Sequence, residues 1–331
     1  MGRAHANWLQ SMYVYLDTVF LSQLTKTSDG RGRKAAIKWQ RLLNLLDRGV
    51  QRGILLCPGS QFQTQEVMLA KGLQDPYIAL QHNLSKGYFF REWQEILVHQ
   101  TASQLLSYLG RPQDIDFGWR FLTKLQPTVV SPSVTVRMKT RMSEFANLAK
   151  SLSTAGTSYN GQYETEKKSF LQNSFLEPIR RLLGLPTYST SPDAYSPLWA
   201  LLEEARVSSK DELLRALQFF DSPLVDKVPF IHIFCSVFAA LRFHEPSRNY
   251  TGSEKEDAVA LACAIPYCQI VTTDVNMKSN IVNRLHLDKA YGATLYSPRK
   301  GDLCALEQVL SEKMSMREDG EAAYGGLGLP Y

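Results

Sequence analysis

Paired cysteines are missing from this sequence, and their absence excludes two common ways of stabilising a fold. The chain has five cysteines in 331 residues, and no two of them form a CxxC pair. An odd, scattered set is typical neither of a disulfide framework nor of a structural zinc site. Most of these cysteines have apolar neighbours, where a free thiol packs as a small hydrophobic side chain. The five are Cys57, Cys235, Cys263, Cys268 and Cys304.

Long apolar runs are missing as well. The most apolar stretch, Val228–Leu241, covers 14 residues and contains His232, whereas a membrane-spanning helix needs about 20 apolar residues. The N-terminal sequence MGRAHANWLQ is too polar for a secretory signal peptide. We therefore expect a cytoplasmic protein in a reducing compartment, without a membrane partner.

The sequence also lacks the motifs of several large enzyme classes. It contains no GxGxxG, GxxxxGK[ST], HExxH or GxSxG, so the signatures of dinucleotide binding, P-loop hydrolysis, zinc proteolysis and serine hydrolase chemistry are absent. The net charge of +5, from 37 basic and 32 acidic residues, is only mildly basic. This charge permits a nucleic-acid partner without requiring one.

What is present is an alternation of short β-rich runs and helical patterns, which predicts an α/β fold with a central parallel sheet flanked by helices. The middle of the chain is helical, and a Gly-rich, polar tail follows Met314. We expect an α/β domain formed by 1–110 and 250–313, a helical insertion over 111–249, and a weakly ordered tail over 314–331. Residues 25–34 are expected to form an exposed loop. The predicted strands are Tyr13–Leu16, Gly53–Cys57, Gln269–Thr273 and Gly292–Tyr296.

Acidic residues follow two of these strands directly. Asp17 comes after the first strand and Asp274 after a later one, and ligands of open parallel sheets bind beyond the carboxyl ends of the strands. Asp257, near the start of an Ala-rich helix, and Glu66, on the helix after the second strand, could join them. Clustered carboxylates repel one another unless a cation is present, and oxygen ligands suit Mg²⁺ or Mn²⁺. Such a site can hydrolyse a phosphodiester.

These residues lie in motifs that resemble the PIN-domain nuclease family. The motifs are YLDT (15–18), the glutamate at 66, SEKEDAVALA (253–262) and VTTDVNM (271–277). The resemblance covers about 1–110 and 250–300, and the segment near 111–250 has no counterpart in compact family members. The resemblance implies a PIN-like, Rossmannoid fold and metal-dependent ribonuclease activity, as in toxin–antitoxin toxins, defence effectors and RNA-processing enzymes. It also implies catalytic acids at Asp17, Glu66, Asp257 and Asp274, metal ligands at Asp17, Asp257 and Asp274, and supporting roles for Thr18, Thr273 and Glu254.

Structural roles compete with each of these assignments. Asp17 and Asp274 could simply cap helices, Asp257 and Glu254 could interact with a helix dipole, and Glu66 could lie on a solvated face. Two basic sets are candidates for contacts with RNA phosphates, although charge runs are usually solvated. The first set follows the first strand and the second lies in the insertion. They are Arg31, Arg33, Lys34, Lys38 and Arg41, and Arg137, Lys139 and Arg141.

The sequence thus favours an endoribonuclease that uses Mg²⁺ or Mn²⁺. Two alternatives stay open: a catalytically inactive PIN-like scaffold that binds RNA or protein, and a DNA nuclease of the flap-endonuclease type. RNA is the expected partner, with DNA second. The helical insertion would shape the substrate channel or bind an inhibitory protein, and a homo-oligomer is a further alternative.

Overall fold

A computed structural model describes residues 11–30, 36–64, 74–111, 121–124, 158–184, 197–244 and 252–325. The chain divides into two compact units. The first, which we call the sheet unit, consists of Met1–Phe90, Leu122–Thr128 and Tyr267–Tyr331. The second, which we call the helical unit, consists of Arg91–Phe121 and Val129–Pro266.

The elements alternate between strands and helices at both ends of the chain and are helical in the middle. In chain order they are β1 (Met12–Tyr15), α1 (Thr18–Ser28), α2 (Ala36–Gln51), β2 (Leu55–Leu56), α3 (Gln74–Ser85), β3 (Tyr88–Phe90), α4 (Trp93–Tyr108), β4 (Leu122–Lys124), α5 (Tyr159–Leu171), α6 (Glu177–Leu182), α7 (Leu198–Glu204), α8 (Lys210–Phe220), α9 (Pro229–His244), α10 (Gly252–Ala264), β5 (Ile270–Thr272), α11 (Val275–Ser279), α12 (Leu287–Tyr291), β6 (Thr294–Tyr296) and α13 (Lys300–Gly325). A π-helical turn follows α5 (Gln172–Leu176) and another follows α11 (Asn280–Leu285), and a 3₁₀ turn precedes α9 (Pro223–Lys227).

The sheet unit is built on a four-stranded parallel sheet with the strand order β2-β1-β5-β6. β1 pairs with β5 in the register Tyr15 to Val271, although the two strands lie more than 250 positions apart in the sequence. The backbone N–H of Tyr13 also donates to Oε1 of Gln269, at 2.7 Å. All four strands predicted from the sequence are therefore confirmed, and the protein is an α/β protein with a central parallel sheet. β3 and β4 form a separate antiparallel pair.

Apolar side chains from β1, α1 and α2 fill the core of the sheet unit. Val14 of β1, Phe20 of α1 and Leu42 of α2 are fully buried in one cluster. The rings of Phe20 and Trp39 meet edge to face with their centroids 5.3 Å apart. Full burial of each such side chain contributes roughly 1.5–3 kcal/mol. This core fixes the helices on the sheet and thereby the positions of the residues that follow its strands.

Helix α1 extends into the segment that the sequence interpretation assigns to a loop. That prediction was wrong for residues 25–28, because α1 continues to Ser28. The hydroxyl of Thr25 donates to the Leu21 carbonyl at 2.7 Å, and that of Thr27 donates to Gln23 at 2.8 Å. Threonine is a weak helix former, but both side chains are buried against the core and both hydroxyls are satisfied within the helix, so the last turn remains helical.

The helical unit is organised around α9, which packs against α4, α5 and α10. Fully buried side chains such as Ile231 and Val237 line α9, and the rings of Phe234 and Phe170 meet with centroids 5.3 Å apart. Helix α8 begins with a capping box between Ser209 and Glu212, whose three-residue spacing is typical of this motif. Across the described ranges of both units, we find no helix with the length and apolar content needed to cross a membrane.

Candidate functional site

The carboxyl ends of β1 and β5 bring together the two aspartates singled out in the sequence. Asp17 follows β1 and Asp274 follows β5, and the two strands are parallel neighbours. The backbone N–H of Asp17 donates to the Thr272 hydroxyl at 2.8 Å, which links the two strand ends directly. The chain passes from β1 outward to β2 on one side of the sheet and from β5 outward to β6 on the other side, so the direction of the connections reverses between β1 and β5. The aspartates therefore flank a topological switch point, where open α/β sheets form a ligand crevice.

Both aspartates also cap helices. Oδ1 of Asp17 accepts from the N–H of Thr18 at 2.7 Å at the start of α1. Oδ1 of Asp274 accepts from the N–H groups of Asn276 and Met277, at 2.7 and 3.1 Å, at the start of α11. Capping and the helix dipole stabilise a carboxylate at each position. The helix starts thus orient both carboxylates, which remain half-buried.

A buried amide network supports the backbone that leads to Asp17. Gln63 is only 1% exposed, and its Nε2 donates to the carbonyl of Leu16. Its Oε1 accepts from the N–H of Ser60 at 2.8 Å and from Nε2 of Gln81 at 2.7 Å. The network joins the segment after β2 to the end of β1. The three-residue spacing of Ser60 and Gln63 is typical of a capping box, but nothing in the sequence indicates the bond from Gln63 to Leu16.

A charged cluster lies at the carboxyl end of the edge strand β6. Ser297 donates its N–H and its hydroxyl to Oδ2 of Asp302, and Nζ of Lys278 lies 2.8 Å from the same oxygen. Burial would raise the pKa of Asp302, but the hydrogen bonds from Lys278 and Ser297 outweigh it, so the pKa is lowered. Asp302 is therefore ionised at neutral pH and fixes Lys278 four residues beyond Asp274. The sequence interpretation missed this cluster, whose one local signal is a polar residue after the β6 strand.

Of the other predicted acidic and supporting residues, two lie beside the aspartates in the sheet unit and two lie in the helical unit. Thr18 is the first residue of α1, and Thr273 is buried beside Asp274. Asp257 and the buried Glu254 lie on α10, which belongs to the helical unit. Glu66 lies outside the described residues.

Of the two basic sets, Lys38 and Arg41 lie on α2, in the sheet unit. The other predicted phosphate contacts fall outside the described residues, so these predictions have no structural counterpart here. They are Arg31, Arg33 and Lys34 in the first set and Arg137, Lys139 and Arg141 in the second.

A divalent cation fits the donor chemistry of the sheet edge only in part. Asp17 and Asp274 offer carboxylate oxygens, and Mg²⁺ is often held by one or two carboxylates with water and substrate phosphates as its other ligands. Within the ranges that the structure describes, no group of three or more His, Cys, Asp or Glu side chains could hold a metal ion. The pair therefore suits a cation that shares its coordination with a bound phosphate rather than one held by a cage of protein ligands.

An open groove of about 480 Å³ lies elsewhere in the sheet unit, between α2 and α13. Nζ of Lys38 lies 3.4 Å from Sγ of Cys304 near the first turns of the two helices. The groove is lined by polar and charged side chains together with Leu45 and Cys304. Its lining is Arg41, Asn44, Leu45 and Arg48 from α2, and Cys304, Glu307, Gln308 and Ser311 from α13.

Together, the fold and this edge define a helix-rich α/β protein with a four-stranded parallel sheet and two aspartates at its switch point. Comparison with known proteins adds no relative: no family model, no curated protein and no solved structure matches this chain.

Proposed function

We propose that this chain is a metal-dependent nuclease of the PIN-like class that hydrolyses phosphodiester bonds in RNA. The observation that carries the proposal is the position of Asp17 and Asp274 at the ends of adjacent parallel strands, on either side of the switch point. A bound phosphodiester would lie in this crevice, as ligands do in open α/β sheets. The motif resemblance around both aspartates supports the same activity.

The two aspartates would hold Mg²⁺ or Mn²⁺ through their carboxylates, and the ion would supply an activated water and neutralise charge on the phosphate. The helices that Asp17 and Asp274 cap hold both carboxylates at the sheet edge, which supports this role. Gln63 fixes the carbonyl of Leu16 and thereby the turn that carries Asp17. Asp257 and Glu66 as further catalytic acids remain sequence predictions.

Substitution of either aspartate by asparagine tests the proposal. Asparagine caps helices about as well as aspartate, so the fold should survive while the negative charge is lost. We expect Asp17→Asn and Asp274→Asn to reduce cleavage of labelled RNA in Mn²⁺ by roughly 100-fold or more, because metal binding needs the charge. EDTA should abolish cleavage by the wild type.

Asp29→Asn is the matched control, since Asp29 ends α1 at an exposed position in the same unit. This variant should cleave RNA like the wild type, and all three variants should keep the wild-type unfolding temperature within a few degrees. Equal cleavage by the wild type and Asp274→Asn, or cleavage that persists in EDTA, would refute the metal mechanism. A parallel assay with DNA of the same sequence tests substrate choice, and faster cleavage of the DNA would overturn RNA as the substrate.

A second candidate is a PIN-like scaffold that binds RNA or protein without cleaving it. It is favoured by the capping bonds of both aspartates, which give each a structural role, and by the absence of a three-carboxylate group among the described residues. A scaffold would bind RNA equally well as wild type, Asp17→Asn and Asp274→Asn, and no variant would cleave it in Mg²⁺ or Mn²⁺.

A further inference from the structure

We propose that the groove between α2 and α13 binds the backbone of single-stranded RNA. The choice of RNA rests on the proposed function, whereas the existence of an anion-binding groove rests on its own residues. Arg41 and Arg48 are exposed on the α2 wall. Within the part of the chain that the structure describes, neither guanidinium has a salt-bridge or hydrogen-bond partner. Unpaired arginines in a groove are the side chains that bind phosphate most effectively.

The dimensions of the groove fit a single strand. Arg41 and Arg48 are seven residues apart on α2, and Cys304 and Ser311 are seven residues apart on α13. Seven helical residues rise about 10.5 Å. The volume of about 480 Å³ falls within the usual size of a small-ligand site. Such a volume holds one or two nucleotides.

The lining chemistry favours a nucleic acid over a protein. Protein-binding surfaces have aromatic and apolar centres, whereas Leu45 is the single aliphatic residue of this lining. Asn44 and Gln308 offer donors and acceptors to base edges. Glu307 adds one carboxylate to the lining, which repels phosphate but can accept from amino groups such as that of cytosine.

The groove begins close to the carboxyl edge of the sheet. Lys38 contacts Cys304 near the first turns of both helices. Cys304 is two residues beyond Asp302, which binds Ser297 directly after β6. RNA that lies in the groove would therefore extend from this edge of the sheet, the same edge that carries Asp274. Asp47, the acidic residue of α2, is not part of the groove lining and accepts hydrogen bonds from Gln51 and Asn83.

The test is RNA binding measured without cleavage. Fluorescence anisotropy of a labelled 12-nucleotide single-stranded RNA in EDTA would compare wild type with Arg41→Glu, Arg48→Glu and the double variant. We expect each reversal to weaken binding about tenfold and the double variant about 100-fold. The milder Arg41→Gln should lower the slope of log affinity against log salt by about 0.7, which is the value for one phosphate contact on a single strand.

Lys289→Glu is the control, because Lys289 is an exposed cation on α12, elsewhere in the sheet unit. Unchanged binding by the double variant, or an equal loss in Lys289→Glu, would overturn the proposal. The proposal would also be overturned if the protein bound an acidic peptide through Arg41 but did not bind RNA. Because the assay contains EDTA, a groove-dependent affinity supports this inference even if the nuclease assay fails. Normal cleavage with groove-independent binding refutes this inference and leaves the nuclease proposal standing.

Discussion

A single buried side chain, Gln63, holds three segments of the sheet unit together. Its amide donates to the end of β1 and accepts from the turn after β2 and from α3. A buried polar group that loses its partner costs about 1–3 kcal/mol, because water cannot replace the lost hydrogen bond. Removing Gln63 would leave several such groups unsatisfied at once.

We therefore expect Gln63→Leu to lower the free energy of unfolding by about 2–4 kcal/mol, since the Leu16 carbonyl and the Ser60 N–H lose their partner. Urea denaturation measures this value. Gln51→Leu is the control, because Gln51 is exposed at the end of α2 and its substitution should change stability by less than about 0.5 kcal/mol. Equal effects of the two substitutions would show that the network adds no stability.

At this scale the sequence predicts local contacts and misses distant ones. Ser60 and Gln63 are three positions apart, so their capping box can be read directly from the spacing. The bond from Gln63 to Leu16 spans 47 positions and depends on how β1 and β2 align. Likewise, the order of residues places Asp17 and Asp274 after strands, but an aspartate that caps a helix and one that binds a metal occupy the same local sequence.

Between helices, the packing of α5, α9 and α10 encloses charged side chains in the helical unit. Glu166 of α5 lies 3.2 Å from Nε of Arg242 on α9, and it accepts from Gln162. The side chain of Lys255 on α10 interacts electrostatically with both Arg242 and Glu166. Burial, together with the positive charge of Arg242, lowers the pKa of Lys255 to about 7, and Glu166 offsets only part of this.

This lowered pKa makes stability depend on pH. In the unfolded chain, Lys255 is protonated below about pH 10.5. In the folded chain, it is protonated only below about pH 7. The free energy of unfolding therefore decreases as the pH falls from about 10.5 to about 7, and this group causes no further change below pH 7. We expect Lys255→Met to raise the free energy of unfolding at pH 7 by about 1–3 kcal/mol, with the gain fading towards pH 10.

Urea unfolding at pH 7 and at pH 9.5 measures the difference. Lys168→Met serves as the control, since Lys168 is exposed on α5 and should show no comparable gain at either pH. A gain for Lys255→Met that is the same at both pH values would contradict the titration and leave only better apolar packing as its cause.

Elements with strong apolar patterns were predicted well from the sequence. The four parallel strands are confirmed. The sequence pattern also predicts helices over 35–46, 90–109, 209–220 and 224–243, and α2, α4, α8 and α9 lie there, with ends that differ by up to five residues. Helix α1 was not predicted, because its last turn is rich in threonine and polar residues. Its helical form depends on burial against the core, where the Thr25 hydroxyl is satisfied by a carbonyl of the same helix. Helix α13 continues to Gly325, within the segment 314–331 that the sequence indicates as a tail.

For the whole molecule, the sequence predicts the α/β class and a central parallel sheet, because the periodicity of each strand is local information. The pairing of β1 with β5 joins residues more than 250 positions apart and has no such local signal. It does not predict how compact units divide the chain. The Ala-rich pattern of α10 indicates a helix, but the same small apolar face suits a sheet or another helix. In the structure α10 packs against α9, so the helix that carries Asp257 belongs to the helical unit.

The distribution of the five thiols gives the molecule one chemically addressable position. Cys57, Cys235, Cys263 and Cys268 are buried, and burial raises the pKa of each thiol, which suppresses the reactive thiolate. Cys304 alone is exposed. We expect a bulky maleimide to attach once to the native protein, as intact mass spectrometry would show, and not at all to Cys304→Ser. Since Cys304 lines the groove between α2 and α13, that single adduct would also occupy the groove and compete with a nucleic-acid strand for it.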